Sequence, residues 1–102
     1  MPDYFLVRQK RGPEWDYSRG RREQDGWDEH AAFMDTLVDE GVIKLGGPVG
    51  DVNGDETLLV VDVGSEEAIR GRLATDPWAG TLLTLVSVEP WTVWLRSNPQ
   101  KA

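Results

Sequence analysis

Between residues 27 and 41 apolar and small side chains recur at three-and-four spacing: Trp27, His30, Phe33 with Met34, Leu37 with Val38, then Gly41. A chain carrying such a stripe must lay that face of a helix on something apolar. Asp28 and Glu29 stand in the first turn, where the helix dipole favours anions, and Gly41 supplies the C-terminal glycine. The surface to receive the helix has to come from the segments around it. Residues 4–9 (Tyr-Phe-Leu-Val-Arg-Gln) and 42–45 (Val-Ile-Lys-Leu) are β-branched and aromatic, and read as strands. Residues 57–63 form a third strand, apolar enough to be central. Ser65 then caps a second helix, with Ile69 and Leu73 as its buried stripe and Pro77 as its stop. Residues 81–89 make a fourth strand, and 91–95 a short edge piece past Pro90.

The order β-α-β-β-α-β predicts an α+β, ferredoxin-like sandwich. Two helices cover one face of a four-stranded antiparallel sheet. The opposite face keeps long apolar runs, so a homodimer packed sheet to sheet is expected. Five smaller readings accompany this frame. Residues 11–26 are long for a connection and rich in breakers, which suggests a mobile lid, although Trp15 and Tyr17 would dock part of it. Gly46-Gly47-Pro48 reads as a tight bend at a strand end. Asn53-Gly54 is the strongest short hairpin signal, and the calcium-loop look of Asp51, Asn53 and Asp55 yields to that turn. Gly71 inside the second helix suggests close packing, and residues 97–102 suggest a frayed tail.

The 102 residues suit a single domain with a thin core. A net charge of −7 makes nucleic acid and anionic membranes poor partners. Arg8, Lys10, Arg11, Arg19, Arg21 and Arg22 nevertheless gather six of the eleven cations into one stretch, read as a solvated, mixed-charge loop in preference to an anion site. The chain has no cysteine, which removes disulfides and thiolate catalysis, and one histidine is too few for a zinc site. Neither a signal peptide nor an apolar run of membrane-spanning length is visible, so a soluble, cytoplasmic protein without metal or cofactor is expected.

His30, on the inward stripe of the first helix, is either a hydrogen-bonded core residue or an imidazole displayed into a pocket. Asp76 extends the Ile69 and Leu73 stripe, so its carboxylate leans inward too. It stands where a helix C-terminus disfavours negative charge by ~0.3–1 kcal/mol. A residue that breaks a local rule in this way is either a simple helix stop before Pro77 or a functional group. Together a histidine that titrates near neutrality and a carboxylate that orients it could move a proton.

The pattern Trp27-x-x-His30-x-x-Phe33-Met34, Leu37, Gly41, Gly46-Gly47-Pro48, then Ser65-x-Glu67-Ala68, Asp76-Pro77-Trp78 and Val88-x-Pro90-Trp91 resembles the YCII-related (YciI-like) family over residues 4–95. The resemblance implies a dimeric α+β barrel and an active site centred on a histidine and an aspartate, which map onto His30 and Asp76. A dehydrochlorinase acting on a chlorinated hydroxyquinol belongs to that family, and muconolactone isomerase is a more distant structural relative. Many members carry an arginine where this chain has Trp27, and a serine where it has Thr57. Arg8, Thr57, Trp27 and Trp78 are the further candidates for substrate contact. The expectation is a small-molecule enzyme of lyase or isomerase type with a His-Asp dyad. The rival is a non-catalytic dimeric domain that binds a small ligand or acts as an accessory.

Overall fold

The first strand, β1 (Tyr4–Arg11), alternates Phe5, Val7 and Gln9 inward against Tyr4, Leu6 and Arg8 outward. The computed structural model describes residues 2–97; the expected frayed tail therefore lies, apart from Ser97, outside the described residues. After β1 come α1 (Trp27–Asp39), β2 (Ile43–Pro48), β3 (Glu56–Val61), α2 (Glu66–Leu73) and β4 (Leu83–Trp91). The strands form one antiparallel sheet in the order β2-β3-β1-β4, the arrangement of a ferredoxin-like sandwich. The apolar run of β3 does place it at an inner position.

Leu37 of α1 and Ile69 and Leu73 of α2 join Phe5, Val7, Leu59, Val61 and Val88 in one buried cluster, so both helices cover the same face. Burying a Leu or Ile side chain of this kind contributes about 1.5–3 kcal/mol, and five or six of them outweigh any single local preference. The end of α1 shows how the sequence fixes its length. Gly41 takes the left-handed conformation (φ 77°), its N–H donates to Val38 O, and the Val42 N–H donates to Leu37 O at 2.9 Å. That paired closure needs a residue without a Cβ penalty at Gly41. At α2 the Ser65 hydroxyl accepts from the Ala68 N–H at 3.1 Å, the expected cap.

In β4 strict alternation would put Val86 and Val88 on one face and Leu83 and Leu85 on the other. A bulge resolves the conflict: Arg8 pairs with Ser87 and Gln9 with Leu85, leaving Val86 over and exposed. Leu83, Leu85 and Val88 thereby all face the helices.

Four segments fold differently from what their sequence predicts. Gly46-Gly47-Pro48 is not a bend but the second half of β2, paired with Leu59, Leu58 and Thr57. Pro48 is tolerated because β2 is an edge strand. A Cβ at Gly46 would lie 2.7 Å from Leu59 Cδ2, so any larger residue there would make the buried Leu59 side chain shift. Asn53-Gly54 is not a two-residue turn of left-handed residues, for neither has a positive φ. Instead the Gly54 N–H donates to Asp51 O and the Asn53 N–H to Asp51 Oδ1, both at 2.8 Å, within a longer connection. Gly71 packs against nothing; a Cβ there would meet open space. Residues 91–95 are not a separate edge piece, because β4 runs unbroken through Pro90 and ends at Trp91.

The connection 12–26 is fastened to the body. Gly12 and Glu14 N–H groups donate to Leu82 O and Thr81 O, and Trp15 is buried with Trp78, Leu82 and Leu83 in a second small core. Gln24, also buried, binds its own loop through Asp16 N, Asp16 O and Arg19 O. Tyr17 stays exposed, with its hydroxyl toward Asp55 and its ring under the Arg11 guanidinium. Among the described residues no helix is long and apolar enough to cross a membrane.

Candidate active site

His30 enters α1 at its first turn because Gly26, left-handed at φ 75°, swings the chain so that Trp27 opens the helix. The Asp25 carbonyl just before this turn accepts the Trp78 Nε1–H at 2.8 Å, tying the start of α1 to the segment after α2. On that segment Asp76 stands two residues beyond Ala74, the residue that caps α2, and not within the helix. Pro77 has no N–H, so the Asp76 carboxylate reaches past it and accepts the Trp78 backbone N–H at 2.9 Å. The expected conflict with the helix dipole is therefore met by donors: Trp78 N–H on one side and His30 on the other.

His30 Nδ1 lies 2.9 Å from both Asp76 oxygens. A carboxylate can only accept, so Nδ1 carries the proton and Nε2 holds the lone pair when the ring is neutral. The pair is deeply placed, with His30 4% and Asp76 5% exposed. Trp78 stacks on the imidazole with ring centroids 4.0 Å apart and planes 6° from parallel. Trp27 closes another side at 5.9 Å, and Trp15 meets Trp78 edge-on at 5.7 Å. Two indoles and one carboxylate thus hold the ring in a single orientation, and Trp15 braces the stacked Trp78 from behind. Among the described residues Nε2 takes no protein partner, nor does it belong to the sealed polar atoms, which leaves it as the outward nitrogen of the ring.

The structure brings His30, Asp76, Trp27 and Trp78 together, four of the six residues singled out from the sequence. It does not bring Arg8, which points from the opposite face of the sheet and pairs with Glu89 at 3.6 Å. Thr57 is on the helix-covered face, paired with Gln9 in register, and lines a separate hollow beside α1. Asp76 forms part of the wall of another hollow of about 180 Å³, together with Gln9, Leu73 and Leu85. His30 itself lines neither.

Sequence reasoning passed over Gln9 and Gln24, both buried. Gln9 was findable, since it continues the inward alternation Phe5, Val7. Gln24 was not, because nothing local marks a polar residue that folds back on its own loop. Comparison with known protein families and with curated proteins returns no match for this chain.

Proposed function

We infer that the chain is a small-molecule enzyme that takes a proton from carbon beside a carbonyl, leading to elimination or isomerisation, with His30 as general base and Asp76 as its positioning partner. One observation carries the reading: Asp76 fixes the proton on Nδ1, which leaves the Nε2 lone pair oriented and, among the described residues, without a protein partner. An imidazole poised in this way contributes about 10²–10⁴-fold in proton transfer. The partner expected for the open sheet face is a second copy of the chain. Leu45 and Trp91 are exposed there, and Leu6, Leu58 and Val60 only half-buried, which supports a sheet-to-sheet homodimer.

The second reading is a non-catalytic binding or accessory domain in which the pair closes the core. It is favoured by the small exposure of His30 and by its absence from the hollows around it. Deuterium exchange separates the two. The protein is incubated in D₂O with small carbonyl compounds bearing α C–H bonds, and loss of the α-proton signal is followed by NMR. The enzyme reading expects exchange above buffer in the wild type, reduced about 100-fold or more in folded His30→Gln. Equal exchange in both proteins, or none in either, leaves the binding-domain reading.

A further inference from the structure

The basic stretch of the sequence divides into two kinds of cation. Arg19 is exposed and paired with Asp16 and Asp25, as a solvated loop would have it. Arg21 is different. It is half-buried and, among the described residues, neither donates a hydrogen bond nor meets a carboxylate. It lies over Trp15 at 5.2 Å, and Arg11 lies over the same indole at 4.8 Å, so two guanidinium groups share one ring. Burial first, and Arg11 second, push its pKa below the usual arginine range. Arg11 spends its own charge on Asp55 and the Asn53 carbonyl. In a chain of net charge −7, a desolvated cation set against a like charge is a local conflict that the Trp15 face offsets only in part and that, among the described residues, no carboxylate answers.

Arg21 forms one wall of a hollow of about 290 Å³ between α1 and the β2–β3 edge. The other walls are apolar (Met34, Val38, Ile43, Leu59), and the Thr57 hydroxyl is the further polar group. Met34 follows His30 by one turn on the same helix face, so the hollow adjoins the dyad's side of α1. The volume is at the small end of ligand pockets, suited to a single ring or short chain.

We propose that this hollow binds a small monocarboxylate with an apolar body, the Arg21 guanidinium gripping the carboxylate and Thr57 contributing a hydroxyl. A guanidinium presents two parallel N–H groups to one carboxylate, which replaces the missing counter-charge in the geometry it prefers. A polyphosphate or nucleic acid would need several free cations, and among the described residues Arg21 is the one cation lining the hollow. This assignment rests on the proton-transfer reading only in making the bound acid a substrate; the binding itself does not involve His30.

The test is titration of ¹⁵N-labelled protein with phenylacetate and with phenylacetamide, its neutral counterpart. Phenylacetate is expected to give saturable shifts at the Met34, Gly46 and Thr57 amides and at the Arg21 side chain. It should bind about tenfold or more tightly than the amide, the worth of one charge-assisted pair. Arg21→Gln should bring acid and amide to the same affinity. Val38→Glu, at the exposed rim, should weaken the acid by placing a rival carboxylate beside Arg21. Should Arg21→Gln lose its near-ultraviolet tryptophan spectrum, Arg21→Lys decides, because it keeps the charge and should keep a preference for the acid. The proposal is overturned if phenylacetate gives no saturable shifts at these residues, if acid and amide bind the wild type equally, or if folded Arg21→Gln retains full affinity for the acid. Phenylacetate binding without deuterium exchange would count against the enzyme reading alone, and exchange that ignores Arg21→Gln in binding and rate would count against this one alone.

Discussion

Replacing Asp76 by Ala should destabilise the fold by about 2–4 kcal/mol. The carboxylate accepts from His30 Nδ1 and from the Trp78 backbone N–H, all at 2.9 Å and with both residues buried. Truncation leaves two buried donors without acceptors, at about 1–3 kcal/mol each. Relief from desolvating one carboxylate offsets part of that sum. For a domain near 100 residues the result corresponds to a fall of about 10–20 °C in Tm. Asp76→Asn keeps one acceptor in the same shape and should cost about half as much. Urea unfolding followed by tryptophan fluorescence measures both, because Trp78 and its neighbours report on the site directly. A double cycle with His30→Ala should show coupling of 1 kcal/mol or more, in the range for groups sharing a hydrogen bond. If Asp76→Ala costs less than about 1 kcal/mol and keeps its native near-ultraviolet spectrum, water has replaced the carboxylate and the sealed-pair reasoning fails.

Because His30 is the sole histidine, long-range ¹H–¹⁵N spectra show one imidazole; they should find the neutral ring protonated at Nδ1, and a proton on Nε2 alone would contradict the Asp76 geometry. Gly71→Ala should raise stability by about 0.5–1 kcal/mol, since the added methyl meets open space on a helix interior; a loss in thermal or urea unfolding would mean a contact is hidden there. Hydrogen bonds from Arg72, at 2.9 and 3.0 Å, hold the Glu40 carboxyl below the usual range. A lowered folded pKa gives stability that is complete above the unfolded glutamate value and lost as pH falls through the folded one. Glu40→Gln should therefore flatten the acid limb of the stability–pH curve while leaving its slope near neutrality unchanged, and the difference should shrink in high salt.

The sequence alone determined the element order, the inward face of α1, the Ser65 cap and the Gly41 stop. Each of these is set by residues within a turn or two of one another, where periodicity, capping and backbone freedom act directly. It also pointed to His30, on the apolar stripe of α1, and to Asp76, whose spacing continues the Ile69 and Leu73 stripe although the residue lies past the end of α2, because a polar group at such a position needs a reason. Only the tertiary structure decided what lies between them. Forty-six positions separate the two residues, and their contact depends on two helices packing on one sheet and on the Gly26 turn that Trp78 fastens through Asp25. The same holds for the face chosen by β4, where a one-residue bulge overrides simple alternation so that Val88 and Leu85 join the main core while Leu83, on the same face, joins the Trp15 and Trp78 cluster. Arg8 and Arg21 make the point most clearly. Both are arginines of one basic stretch, yet Arg8 falls on the open side of the sheet while Arg21 is folded over Trp15 into a hollow beside α1. Strand alternation could have placed the first. Nothing short of packing the whole connection against Trp78 and Leu82 could have placed the second, because burial of a charge is a property of the assembled surfaces around it and not of its neighbours in the chain.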